Sequence, residues 1–492
     1  MGENYEILYK KKGYKMTKVL FMVPHEDDEL FVGGPMLINL VRDKKYDVYV
    51  FISTNGDYYP YEYKERIEES IKVLNTIGVK KENIIFGGYG DCWNGKHIYN
   101  SEKSDAKISH AGKSMTYLLD NINEWHYNQY NEHQKYSREG YLNDIINLIK
   151  TILPEVIICV DMDSHQDHRC LSLLTDEALG IILKENKSYF PILLKKFAYQ
   201  GVLFGKMDYF EYPHKRAMND TDDTCNPYFK WKDRLSYSVP SDCRTKYLHN
   251  NFLYKLVKMY KSQEMWMNAG SFINEDIVYW LRNTNNFVLN AQIAATSGQV
   301  KYINDFKLID TDNVLKADCD FHNLCWRPVD NDNKKKIKIK FNKIVQLKHI
   351  IIYFNCLGRI NGYYLCELHN KNGKTKIIKK FLDNDGFFCD KLDFEETDVM
   401  EVIFTFSNLN GKVGIGEIEA FSSNLDIPFK EYKYISSSDN REKRFLIENS
   451  LLLLEKLVFK VKRRIYLKTD KWIKERNEYE RRSNEGRNYN IT

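Results

Sequence analysis

From Lys18 to about Ile182, short apolar runs alternate with amphipathic stretches, and no other feature of the chain constrains its fold as much. Neighbouring parallel strands need a crossover between them, usually a helix, so this alternation predicts a parallel α/β sheet. The candidate strands are residues 19–23, 48–53, 84–86 and 156–160. Between the second and third, Ile67, Ile71 and Leu74 follow helical spacing, and Gly78 suits a helix C-cap. Residues 92–140 are polar, rich in Asn and Tyr, and read as a long excursion near the sheet edge.

A second texture begins after Asn285. KIKIKF (336–341), HIIIYF (349–354), YYLCEL (363–368), TKIIKKF (375–381), VMEVIFTF (399–406) and GEIEAF (416–421) are short strands separated by polar turns. Such spacing predicts an antiparallel β-sandwich. Between the two textures, a strand is expected around residues 197–204 and a helix around 253–260. With 492 residues the chain exceeds what one hydrophobic core holds, about 250–300 residues. It divides into an α/β unit over 17–285, a sandwich over 286–424 and a tail over 425–492.

The tail carries an amphipathic helix in which Ile447, Leu451, Leu454, Val458, Val461 and Ile465 share one face. Lys456, Lys460, Lys462, Arg463, Arg464 and Lys468 are interleaved with them. The readings are a helix packed on its own protein, or one that makes peripheral membrane contact through residues 445–468 or binds a partner. The whole chain has a net charge of +5, while residues 426–492 alone hold 17 basic and 11 acidic side chains, leaving the rest near −1. Basic residues confined to one helix, without a basic domain face, argue against a nucleic-acid partner. No run reaches the roughly 18–20 apolar residues that span a bilayer, and the first residues lack the pattern of a secretory signal. The ten cysteines are dispersed with no CxxC pair, so reduced thiols in a cytoplasmic protein are expected. Oligomeric state is left open.

Two segments carry the chemistry, PHEDDE (24–29) and DSHQDHR (163–169), and each closely follows a strand-like run. Ligands of open parallel sheets bind beyond the carboxyl ends of strands, so both segments reach the same edge. They bring His25, Asp27, Asp28, His165, Asp167 and His168 together. Clustered carboxylates repel unless a cation offsets them, and mixed imidazole and carboxylate ligation suits zinc with a position left open for water. The bland alternative is that each segment only solvates a loop; both at two strand ends weigh against it.

These segments, with STNGD (53–57), RIEESIKVLNTIG (66–78), GYGD (88–91) and PEVIICVDMDSHQDHR (154–169), resemble the PIG-L/LmbE-like zinc-dependent N-acetylglucosaminyl deacetylases. The resemblance covers about residues 17–285 and implies a Rossmann-like, mostly parallel sheet that removes an N-acetyl group from an amino sugar. By it, His25, Asp28 and His168 are zinc ligands, Asp27 is the general base, and His165 stabilises the oxyanion or acts as acid. Asp167 is an orienter of a histidine, and Arg66 and Asp91 are substrate contacts. For Arg66 an ordinary ion pair with Glu69 or Glu62 is the competing reading. Glu26 and Gln166 stand where many members of the family have proline, which implies altered loop stiffness rather than lost chemistry. Gln263, in MYKSQ (259–263), is left out of the site.

NFVLNAQIAATSG (286–298), Trp326, KIKIKFNKIVQLKHIIIYF (336–354) and VGIGEIEAF (413–421) are similar to an F5/8 type C (discoidin-like) domain. That resemblance implies a galactose-binding-like module, with a structural or oligomerisation role as the alternative. The expected partner is thus an amino-sugar-containing glycan or glycolipid. Two other functions remain open: a glycan-binding protein whose α/β unit is inactive, and an amidase acting on a thiol-sugar conjugate.

Overall fold

The apolar runs become strands β1 (Thr17–Val23), β2 (Tyr46–Thr54), β3 (Ile84–Tyr89) and β4 (Val156–Val160) in a computed structural model. The structure describes residues 15–58, 63–91, 98–198, 221–245, 248–263, 274, 276–309, 324–373 and 375–429, with nine positions between 454 and 469. Strands β5 (Ile192–Lys196), β6 (Leu235–Ser238) and β7 (Asp276–Arg282) complete a seven-stranded sheet. Its order is β3-β2-β1-β4-β5-β7-β6, parallel from β3 to β5 and antiparallel beyond.

The central strands are buried on both faces, as parallel strands sandwiched between helices must be, so β1 and β4 read as continuous apolar runs. The helices are α1 (Gly34–Arg42), α2 (Tyr63–Ile77), α3 (Trp125–Tyr130), α4 (Arg138–Ile152), α5 (Gln166–Glu185) and α6 (Phe252–Val257). Helix α2 stops at Gly78, whose φ of 101° is open to glycine and costly for other residues. Ser137 caps α4 by accepting from the Gly140 amide at 3.0 Å. The expected helix around 253–260 is α6; of the strand expected around 197–204, residues 199–204 lie outside the described residues.

After β8 (Gln292–Ala295), two long extended segments, β9 (Lys336–His369) and β10 (Thr375–Lys412), build the sandwich with β11 (Ile415–Phe421). Residues 401–405 of β10 pair with 336–340 on one side and 365–369 on the other, while 349–354 of β9 pairs with β11 and with 388–393 of β10. The chain thus passes through two antiparallel layers, and the expected short strands are joined by left-handed residues such as Gly358, Gly386 and Asn408 where the pairing changes. Ile337, Ile339, Tyr364, Val402 and Phe404 from one layer meet Ile350, Ile352, Phe354 and Ile418 from the other in a core of their own.

The two units share a buried boundary. Arg282, at the end of β7 and 1% exposed, places Nε 3.0 Å from Glu419 Oε1 and Nη1 3.4 Å from Asp176 Oδ2. Its Nη2 donates to the Phe306 carbonyl at 3.2 Å. The nine described positions between 454 and 469 are helical; the rest of the expected tail helix lies outside the described residues.

Candidate active site

Strand order reverses between β1 and β4, the two strands whose C-terminal ends carry PHEDDE and DSHQDHR. A crevice opens at such a switch point because the following segments diverge to opposite faces. After β1 the chain turns through Asp27, held at φ 123°, and enters a short π-helix at Glu29–Gly33. After β4, His165 caps α5, its Nδ1 accepting from the Asp167 amide at 3.3 Å. His168 then falls in the first turn of α5 and faces back toward β1.

Asp28 Oδ2 is the meeting point. It lies 3.0 Å from His25 Nδ1 and 3.1 Å from His168 Nε2. The other ring nitrogen of His168 is 2.7 Å from Asp163 Oδ2, and His25 Nε2 is 3.2 Å from Asp167 Oδ2. Ring centroids of His25 and His165 are 4.6 Å apart, and those of His165 and His168 4.8 Å. Nitrogens of His25, His165 and His168 converge within 4.8 Å, as do donor atoms of His25, Asp91 and Asp167.

A cation fits this arrangement. Asp27 Oδ1, Asp28 Oδ1 and Asp91 Oδ1 are buried and accept no hydrogen bond among the described residues. Buried carboxylate oxygens left so are costly unless a positive charge compensates them. Three imidazoles beside them make a borderline-soft donor set. His25, Asp28 and His168 gather around a single oxygen, while Asp163 and Asp167 hold the far sides of two of the rings, as carboxylates behind metal-bound histidines do.

Electrostatics separates the carboxylates. Burial pushes Asp27 up to about 7, and the charge of Asp28 adds to the effect. Burial opposes ionisation of Asp28 too, but the His168 and His25 imidazoles hold it well below the usual carboxylate range. Burial, then the neighbouring His25 and His168, lowers His165 to about 3, so its ring is neutral. Burial works against a charged His168 as well, yet Asp163 and Asp28 raise it to about 10. Two adjacent carboxyls with opposite shifts are the pattern of distinct acid–base roles.

Residues 20–179, about a third of the chain, match the family model described as PIG-L: GlcNAc-PI de-N-acetylase. The N-terminal unit carries a PIG-L domain. No curated protein matches the chain. Solved structures similar to the C-terminal part include CpGH89CBM32-6 of Clostridium perfringens, 18% identical over 27% of this chain and 94% of that one, with a TM-score of 0.19. A Streptococcus pneumoniae fucose binding module is 15% identical over 28% of this chain and 95% of its own, with a TM-score of 0.22.

Around this cluster of histidines and aspartates, Arg66 of α2 donates to the carbonyls of Gly56 at 3.2 Å and Glu26 at 3.3 Å. Its Nε stands 3.7 Å from the buried Glu26 carboxylate. Glu69 makes other bonds, accepting from the Lys261 and Ser262 amides at 2.9 and 3.2 Å. A side chain at Gly56, where φ is 60°, would run into the Glu26 carboxylate and come within 2.6 Å of Arg66 Cζ. Asp91, after β3, lies nearer the histidines than a distant sugar contact would, with Oδ1 3.9 Å from His25 Nε2. Its amide donates to Asp57 Oδ1 at 2.7 Å.

Several neighbours carry no role in the sequence reading. Asp163 opens the DSHQDHR segment, and its place five residues before His168 is the sequence signal for this contact. Glu26 is fully buried, and burial pushes its carboxyl up to about 8 despite Arg66. Gln263 donates from Nε2 to the Glu26 carbonyl at 2.6 Å, which ties the MYKSQ segment to the PHEDDE turn. Lys196, lowered to about 7 by burial, donates to the Phe31 carbonyl behind that turn. Only the fold could bring these last two here.

Proposed function

We propose that this protein is a zinc-dependent hydrolase that removes the N-acetyl group from an N-acetylglucosamine-type amino sugar in a glycan, glycolipid or sugar precursor. The observation that carries the reading is the meeting of His25, Asp28 and His168 around one carboxylate oxygen, beside an Asp27 with a buried, unpartnered oxygen. His25, Asp28 and His168 would hold the zinc, which when bound supplies Lewis acidity and lowers the pKa of water.

Asp27 takes the proton from the attacking water as its oxygen bonds to the acetamide carbon. The neutral His165 ring donates a hydrogen bond to the developing oxyanion. The C–N bond then breaks, the amine leaves with the proton that Asp27 took from the water, and acetate departs. Asp167 and Asp163 fix the tautomers of His25 and His168. Arg66 binds the sugar's hydroxyls, and Asp91, buried beside His25, contacts the sugar close to the reacting acetamide.

Metal content and acetate release, measured together on N-acetylglucosamine-containing substrates, test the reading. Wild type is expected to hold about one zinc per chain and release acetate. Asp27→Ala should keep the metal and lose turnover, and His168→Ala should lose both. Wild-type turnover in Asp27→Ala would overturn the mechanism.

A further inference from the structure

The tail presents an apolar stripe to solvent. At its described positions Leu454, Leu457, Val458, Val461 and Ile465 are all exposed, between 50% and 62%. Their spacing of i, i+3, i+4, i+7 and i+11 keeps them on one face of a helix. Lys460, Arg464 and Lys468, also exposed, form a row four residues apart that runs beside that face. Apolar side chains so arranged, with cations along one flank, match the interface between acyl chains and anionic headgroups.

We propose that the helix containing residues 454–468 docks in the plane of an anionic lipid surface. Charge selects this occupant over a second copy of the chain. Residues 451–469 hold six basic side chains against Glu455 alone, so two such helices side by side would repel. Spanning is excluded by the density of charge, and no described helix is long and apolar enough to cross a membrane. The inference stands apart from the proposed reaction.

Flotation of the full chain with phosphatidylcholine vesicles, with and without about one quarter phosphatidylglycerol, tests it. Binding is expected only to the anionic vesicles, falling about tenfold or more between about 0.1 and 1 M salt as charges are screened. Lys460→Gln with Arg464→Gln should weaken binding about thirtyfold, from about fivefold per cation at the surface. Val458→Asp with Val461→Asp should abolish it, with the thermal transition of the body unchanged. Equal binding to neutral vesicles, no binding, or binding that survives both pairs of substitutions would overturn the proposal. So would a dimer without lipid affinity that Val458→Asp with Val461→Asp splits into monomers, which would make a second copy the occupant.

Discussion

Asp27 sits in a backbone conformation that a non-glycine residue rarely adopts, with one carboxylate oxygen buried and unpartnered. Such strain persists where the surroundings over-determine it, here between β1 and the turn into Glu29–Gly33. Replacing Asp27 by Asn keeps the shape and removes the base, so acetate release should fall about 10²–10⁴-fold with metal retained, as single-turnover assays and metal analysis would show. His168 gives the pH dependence. Its folded pKa is raised to about 10 by Asp163 and Asp28 against burial, so its stabilising contribution to the metal-free protein is complete below about 6.5. That contribution fades as pH rises through 10. A metal needs the neutral ring, so zinc uptake should release protons and tighten as pH rises from 6.5. Calorimetric titration in buffers of different ionisation heat would show this; uptake without proton release would remove His168 from the ligand set.

At the scale of elements, what could be read from the sequence was the half of the sheet that is buried on both faces. The runs at β1 and β4 are uninterrupted because helices cover both sides, and the segments after them meet for the topological reason given by the strand order. Strand β5 is hidden in the sequence because it ends in two lysines. Lys195 is buried against Asp176 at 2.9 Å and Lys196 against the Phe31 carbonyl, partners that no local pattern announces. The sandwich strands were legible by alternation, but not how β9 and β10 change partners, since that depends on bulges and left-handed residues such as Gly386 and Asn408 within them. Of the site, the histidines and aspartates were legible as motifs, whereas Glu26 and Gln263 meet only through tertiary packing. The turn at Gly56 joins these levels. Gly56→Ala places a Cβ at φ 60° between Glu26 and Arg66, so it should cost about 1–3 kcal/mol in stability and displace the guanidinium. Urea unfolding, together with a raised KM for the amino-sugar substrate, would register both effects.

On the scale of the whole molecule, the sandwich is built into the unit that carries the PIG-L domain. Helix α5, which begins with His168 in its first turn, carries Asp176 two turns on and then Gly180, where any Cβ would strike the Asp305 carbonyl oxygen. Arg282 joins that helix to Glu419 of β11, and Tyr353 of β9 donates to the same carboxylate at 2.9 Å. Arg282→Met removes the cation beside a carboxylate that is 1% exposed, while Asp176 keeps Lys195. The loss should be about 3–5 kcal/mol, because the cost falls on the charge left behind. If so, Glu419→Leu in the Arg282→Met background should restore much of the stability, since a buried pair replaced on both sides by apolar groups leaves no unpaired ion. Urea unfolding of the two single variants and the double variant, followed at the tryptophans of both units, Trp280 and Trp326, would measure the cycle. One shared transition that shifts in Arg282→Met and recovers in the double variant is expected. Two transitions, with only one of them shifted, would mean that the boundary is a contact between independent domains.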